Sequence, residues 1–447
     1  MRTQRLFAIA AAVFFVATSL SAQNPPPTVP PAMPPGTTML ATKKFLFVVH
    51  GDALYQFDVA TLALRNTFAF PGGKQAAGAP APVPEILVLE EPPPPPPSGV
   101  PLPSDANTAI AWSLEWLAKH QDEDGKWDCD GFSKHDAPTG AACDGPGKPT
   151  HDVGVTGLAL LAFLGNGNTM RSGPYKDSIK RGVNWLRTEQ GADGLFGQPT
   201  SHDFIYDHAI AAYAICECFG LSGYETLRPC AQKGLDYLEK HRNPYSVWRY
   251  QPRDNDNDTS VTTWAVMALE SGKFFGLTVN PQALSLAAIW YDQVTSPDGR
   301  AGYTKQGEPS SRMAGDHSTR FPPENGETMT AAATFARFFL GQSPQQHPIL
   351  KASADRLASK PPKWEPGHQD AVYWYFGTYA MLQMGGLHWK RWSDALDVLP
   401  SHQRRDGNAA GSWDPIGVWD ESGGRVYVTA LYTLALEANA RVARLVK

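Results

Sequence analysis

The chain has 447 residues, 42% hydrophobic and 19% charged, with a formal net charge of -5 and a sequence pI near 6.2. That balance gives no electrostatic case for nucleic acid or for an anionic membrane surface. The length allows a core large enough to stand without a metal or a disulfide.

At the start, Met1, Arg2 and Arg5 precede an apolar block at 6–16 and small residues at 19–22. This is the pattern of a signal peptide, too short for a spanning helix, so residues 1–22 are read as a leader and the chain as exported, periplasmic or extracellular, with no transmembrane segment in its mature part. Residues 23–43 and 71–104 are rich in Pro, Ala and Gly and read as extended linkers. Between them, 44–70 predicts a small β element of three strands at 45–49, 54–57 and 63–70, turning at 50–52 and 58–61. Such an element is too small to fold alone and is expected to lean on the rest of the chain or on a protein partner.

From 105 to 447 the chain repeats itself. Ile110, Leu114, Trp116, Leu117, Gln121, Asp124-Gly125 and Trp127 recur 69 residues later as Ile179, Val183, Trp185, Leu186, Gln190, Asp193-Gly194 and Phe196. Apolar residues at i, i+4 and i+7 make one stripe of a helix, and the Asp-Gly after Gln is a turn suited to positive φ. Val398-Leu399, Gln403 and Asp406-Gly407 repeat the order, with looser copies around Tyr237-Leu238 and from Trp290 to Asp298-Gly299.

After each turn comes a segment apolar nearly all round: 152–164, 207–219, 258–269, 327–340, 370–384 and 425–436. A helix dry on every face is buried on every face, whereas the helix before it, such as 177–189 with Lys180, Arg181 and Arg187, keeps a wet side. About six such pairs have one economical closed arrangement, an all-α (α/α)6 toroid of inner helices inside outer ones. The rival, a stacked solenoid, calls for a shorter and more regular period.

The stretch from Lys180 to Gln190, closed by Asp193-Gly194-Leu195-Phe196, resembles the glutamine-tryptophan repeat of squalene-hopene cyclases, whose superfamily includes the β subunits of protein prenyltransferases. Trp374-Tyr375-Phe376, Gly411-Ser412-Trp413-Asp414-Pro415 and Gly423-Gly424-Arg425-Val426-Tyr427 resemble exported bacterial proteins with prenyltransferase and squalene oxidase repeats. The resemblance implies the toroid and a central cavity for an apolar, isoprenoid-like small molecule or lipid.

In the cyclases an Asp-x-Asp-Asp-Thr motif opens an inner helix, and its middle Asp protonates the alkene. Asp254-Asn255-Asp256-Asn257-Asp258-Thr259 stands at the corresponding place here. In register, Asn257 replaces the donor, and an amide is no strong acid. The resemblance therefore makes Asp258, and Asp256 by a local shift, catalytic candidates and leaves enzyme status open. The alternating Asp residues also suggest calcium, against which stand the missing Gly at the sixth position and Glu at the twelfth. The prenyltransferase zinc His begins an inner helix, which makes His208, with His202, a weak metal candidate; their Asp-x-Cys pair has no counterpart in position.

The loops that join outer to inner helices share one mouth of the toroid and carry His135, His151, His202, His208, His317 and His368 with many carboxylates. Singly these are caps and loop residues; together they are material for an acid–base or metal site. Asp207 and His208 join the catalytic candidates. His151, His317, Glu327, His368 and Asp370 are candidates for ligand binding, as are the inner-helix aromatics Tyr213, Trp264, Tyr373, Trp374 and Tyr375. A protein-interaction module and a glycan-active barrel using Trp127, Trp248, Trp413 and Trp419 are the rival readings. A deep apolar pocket, a filled barrel and an open cleft flanked by Trp would separate the three. Five cysteines in an exported chain leave one odd, and Cys129 with Cys143, in one loop, are expected to form a disulfide.

Overall fold

The computed structural model describes four strands between residues 38 and 69, and residues 105–445, the side chains as far as 441. The expected leader and the linker at 71–104 lie outside the described residues. Two compact units divide at residues 92 and 93.

The strand unit is an antiparallel meander of β1 (Thr38–Ala41), β2 (Phe45–His50), β3 (Ala53–Asp58) and β4 (Leu64–Ala69). The three expected strands are β2, β3 and β4. The first falls in the stretch expected to be linker, where Met39-Leu40 pairs with Phe47-Val48. Four residues between a Pro-rich run and Thr-Lys-Lys carry too little period-2 pattern to be read as a strand.

In the helical unit the outer helices are α1 (Ala106–Lys119), α3 (Lys176–Glu189), α5 (Arg228–His241), α7 (Pro281–Val294), α9 (Ile349–Ala358) and α11 (Gly386–Ala395). The inner helices are α2 (Asp152–Gly165), α4 (Phe204–Ser222), α6 (Thr259–Phe274), α8 (Thr328–Phe339), α10 (Ala371–Met384) and α12 (Asp420–Leu436); α13 (Ala438–Leu445) follows. Outer α3 buries only the stripe Ile179, Gly182, Val183 and Leu186, whereas α4 is buried along nearly its whole length. Each inner helix packs on the next, and α12 packs back on α2, so the ring closes. The inner helices begin within a residue of where the apolar segments predict, except α4, which starts three residues early, and α12, which starts five residues early and breaks at Gly424.

The repeat residues tie neighbouring outer helices together. Gln121 Nε2 donates to the carbonyls of Gly125 in its own turn and Ser178 of α3, and Gln190 does the same with Gly194 and Cys230 of α5. The turn glycine has φ +108° at Gly125, and a Cβ there would lie 2.3 Å from the Arg181 carbonyl oxygen, so only glycine lets the turn approach the next helix. In the last copy Gln403 donates to Gly411, whose Cβ would meet the Trp112 carbonyl. Gly407, read from sequence as the turn glycine, has open space around it; residues 407–410 are an insertion.

The aromatic residue that follows the turn, a plug for each repeat, is fully buried in Trp127, Trp248 and Trp413, and each indole Nε1 donates to a carbonyl of the preceding helical segment: Leu117, Leu238 and Leu399. These three tryptophans are therefore core, and the expectation that they serve a sugar cleft is corrected. Plug backbones are anchored by an inner-helix threonine: Trp127 N donates to Thr156, Ala301 N to Thr330 and Trp413 N to Thr429. In the second repeat Phe196 N donates to His208 Nδ1 at 3.0 Å instead.

Candidate functional site

A cavity of about 300 Å³ opens among the first turns of the inner helices. Its floor is apolar: Val155 and Leu158 of α2, Ile210 of α4, Trp264 of α6, Met329 of α8, Phe376 of α10. Trp264 is held in place by Tyr375, stacked behind it at 5.8 Å and nearly parallel. Its rim is polar, with Lys148, His151, His202, Asp203, Asp207 and the hydroxyls of Tyr206, Tyr250, Ser260 and Tyr303.

His151 and Asp207 form the centre of that rim. Nδ1 of His151 lies 3.0 Å from Oδ2 of Asp207, Nε2 lies 3.7 Å from Asp203, and Nε2 has no hydrogen-bond partner among the described residues. Asp207 reaches α2 because residue 154 is glycine: a Cβ there would lie 2.2 Å from its Oδ1. Burial pushes the Asp207 carboxyl up to about 6, against the pull of His151, with Asp203 and Asp152 adding to the rise. Burial works against the His151 imidazolium, but the hydrogen bond and charge of Asp207 outweigh it, and the net shift is upward. Both shifts favour retaining a proton on the pair.

A second carboxyl stands behind the rim. Asp258 caps α6, accepting from Val261 N and from Ser260 Oγ, both at 2.8 Å, while Ser260 pairs with the Tyr206 hydroxyl. Its other oxygen is buried without a hydrogen-bond partner among the described residues, 3.9 Å from Arg249, and burial raises its pKa to about 6. Asp258 thus reaches the cavity only through Ser260 and Tyr206. Tyr250 and Tyr303 share a hydrogen bond of 2.6 Å beside them, and the His202 ring packs at a tilt on Tyr250, 4.4 Å away.

Of the residues proposed from sequence, His151, Asp207, His202 and Trp264 meet at this cavity, and so does Trp419, the one tryptophan of the sugar reading that lines it. His208 does not: its Nδ1 accepts from Phe196 and its Nε2 donates to the Gly234 carbonyl, so both nitrogens are used in joining repeats, and burial holds its pKa near 3. That excludes it as an acid, a base or a metal ligand in this arrangement. Asp256 is exposed, 3.5 Å from Arg249, and Asn257 braces its loop by accepting from Asn243 and Val247. Neither faces the cavity, so the register shift that would have made Asp256 the acid is corrected. The Asp254 carboxylate accepts from Asp256 N while Asp258 caps a helix, and no calcium cage is formed among them.

The other candidates hold the toroid together. Glu327 is clamped by Arg300, Arg356 and Lys360 at 2.9–3.2 Å. Asp370 caps α10 and accepts from Thr328, and His317 is pinned between Met313 N and the Val418 carbonyl. His368 sits in a loop against Pro366. Tyr373 donates to Lys360, Tyr213 accepts from Arg441, and Trp374 packs on Trp364 and Tyr432; none of the three lines the cavity. Tyr375 contributes only from behind Trp264. Cys129 and Cys143 are free thiols: Cys129 donates to the Gly423 carbonyl, while Cys143 faces Asp136, so the expected disulfide is corrected. Tyr206 and Ser260, missed from sequence, lie one and two residues from Asp207 and Asp258, where the helix register would have exposed them.

These features settle the architecture. The chain has the (α/α)6 toroid fold. Solved structures with the same fold include the α-1,6-mannanase GH76A of Salegentibacter sp. HEL1_6, in an inactive variant bound to α-1,6-mannotriose, at 11% identity over 76% of this chain and 100% of that one, with a TM-score of 0.52. The unmodified mannanase is similar at 12% identity, with the same coverage and a TM-score of 0.51. The type II terpene cyclase MstE from Scytonema is similar at 13% identity over 76% of this chain and 100% of that one, with a TM-score of 0.50. No protein-family model matches the sequence, and no curated protein matches it. At these identities the likeness is one of fold.

Proposed function

We propose that the cavity binds an apolar, isoprenoid-like ligand whose polar end meets the His151–Asp207 pair. The observation that carries this reading is the division of the cavity: an aliphatic and aromatic floor beneath a rim where one titrating pair stands ready. An apolar cavity of about 150 Å³ holds a benzene ring, so the whole cavity, at about 300 Å³, receives about two isoprene units, rim included. The core placement of Trp127, Trp248 and Trp413 removes three of the four side chains on which the sugar reading leaned, and leaves it Trp419 at the cavity. The fold likeness does not separate the two readings, because the terpene cyclase and the mannanase share it alike.

His151 is the acid–base group in this proposal: its Nε2 has no hydrogen-bond partner among the described residues and lies 3.7 Å from Asp203, and Asp207 orients the ring and sustains its proton. Alkene protonation by the cyclase motif is not part of it, because Asn257 and Asp256 lie outside the cavity. Export, expected from residues 1–22, places the ligand outside the cytoplasm in this account. The test is organic extraction of the purified protein followed by mass spectrometry, alongside an Ile210→Trp variant that fills the floor. A prenyl-type lipid from the wild type alone supports the proposal; a retained oligosaccharide, or identical extracts from both proteins, overturns it.

A further inference from the structure

Away from the cavity, the loop between α1 and α2 gathers three donors of different kinds. His120 at the end of α1, Asp136 after a single 3-10 turn (Phe132–His135) and Cys143 each offer a ligand atom, all within 4.8 Å of one another. The imidazole is fixed on both sides: it stacks on Trp116 at 4.1 Å, and its Nδ1 lies 2.8 Å from the Trp116 carbonyl. A carbonyl only accepts, so Nδ1 carries the proton. In the neutral ring Nε2 is then a lone pair, yet it points at the Asp136 carboxylate 3.2 Å away. Two acceptors face each other unless a cation stands between them: a second proton on the ring, or a metal. His120 is 3% exposed, and burial disfavours the imidazolium.

We infer that His120 Nε2, Asp136 and Cys143 Sγ bind one zinc-class divalent ion. The donor set of imidazole, carboxylate and thiolate is that of zinc, whose bonds of about 2.0–2.3 Å at tetrahedral angles put ligand atoms about 3.3–3.7 Å apart. The 3.2 Å separation of His120 and Asp136 is close to that spacing. The Nδ1 bond to a backbone carbonyl is the outer-shell partner that orients a ligating histidine. Asp136 is itself held by the Cys143 amide on its second oxygen, at 2.6 Å, leaving the first for the ion. Binding would release the thiol proton of Cys143 to solvent and leave a fourth position for water.

The consequence is a tie on the loop that borders the cavity. The segment after Cys143 is bonded to α12, Arg425 N to the Gly145 carbonyl and Lys148 N to that of Ser422, and it carries Lys148 and His151 to the rim. An ion at Cys143 would hold that segment to α1 at its other end.

The test uses the full chain, stripped with chelator and titrated with Zn²⁺ alone, then with Co²⁺ as a spectroscopic probe. One equivalent of Zn²⁺, a raised melting temperature and a thiolate-to-cobalt charge-transfer band that disappears in Cys143→Ser are the expected results. Cys143→Ser and His120→Ala should each weaken Zn²⁺ binding by more than the 10–100-fold typical of a lost outer-shell partner. Cys230→Ser, far along the chain, should leave binding and band unchanged and controls for the other thiols. Absence of stoichiometric Zn²⁺ binding to the folded wild type, or a cobalt–thiolate band that persists in folded Cys143→Ser, overturns the inference in favour of a His120–Asp136 ion pair.

Discussion

Gln403 Nε2 donates to the carbonyl of Ala109 at 2.8 Å, joining residues 294 positions apart and closing the outer ring on its own first helix. The same amide also donates to Gly411 at 2.9 Å, as Gln121 and Gln190 do within their own repeats. The glutamine of the repeat is a staple between neighbours, and in the last copy the neighbour is the first.

Gln403→Ala should therefore cost more than an ordinary surface change. It strips a donor from two carbonyls beside a buried side chain, a loss of about 2 kcal/mol in urea unfolding. Gln190→Ala, where the side chain is only half-buried, should cost less. Equal costs for the two would argue against a special closing role.

His208 gives the second expectation. It occupies the place where Thr156, Thr330 and Thr429 receive the plug amide in other repeats. His208→Ala should lower stability by about 1–3 kcal/mol, and His208→Thr should recover part of it, with ligand retention unchanged in both once folded. Lost binding in a stable His208→Thr protein would return this residue to the site. Its pKa near 3 lies below that of the unfolded chain. The unfolded state therefore takes up the proton first, and the His208 contribution to stability is lost as pH falls from about 6.5 toward 3.

Asp420 should behave in the opposite sense. Burial, opposed by the Gly417 amide and reinforced by Asp370, raises its carboxyl to about 7, and one of its oxygens has no hydrogen-bond partner among the described residues. The folded state keeps this proton after the unfolded state has lost it, so stability falls as pH rises from about 4 to 7, by on the order of 4 kcal/mol for this group. Asp420→Asn should be most stabilising relative to wild type above pH 7 and nearly neutral below pH 4. Thermal melts across that range read it; a constant difference would contradict the raised pKa.

The sequence made the toroid legible because burial has a period. The dry segments at 152–164 and 258–269 announce inner helices, and Gln121 with Gly125 announces the turn. It made the site only half legible. Asp207 and His208 are adjacent, equally polar and equally early in α4, yet one faces the cavity and the other the outer ring; a helix turns about 100° per residue, and only the packed partners, Gly154 and Gly234, say which is which. The tryptophans misled for a related reason: loop position suggests exposure, but Trp127, Trp248 and Trp413 fold back into the wall as plugs. The resemblance at Asp254 to Thr259 misled too: Asp256, the acid it allowed by a local shift, is exposed in its loop beside Arg249.

The His151–Asp207 pair can be read directly by histidine-selective NMR titration. With Asp207 replaced by Asn, the charge that sustains the imidazolium is gone while burial remains, so the His151 pKa should fall below its ordinary value. Gly154→Ala should move it the same way by displacing the Asp207 carboxylate. An unchanged His151 pKa in both variants would mean that the two residues are neighbours without coupling.

The central claim is that the cavity is built for an apolar chain. Calorimetric titration of one protein preparation with farnesol and, separately, with α-1,6-mannotriose tests it most directly. The account predicts heat and saturation with farnesol, abolished in Ile210→Trp and weakened in His151→Ala, and no binding of the sugar. Saturable binding of mannotriose, with none of farnesol, would contradict it.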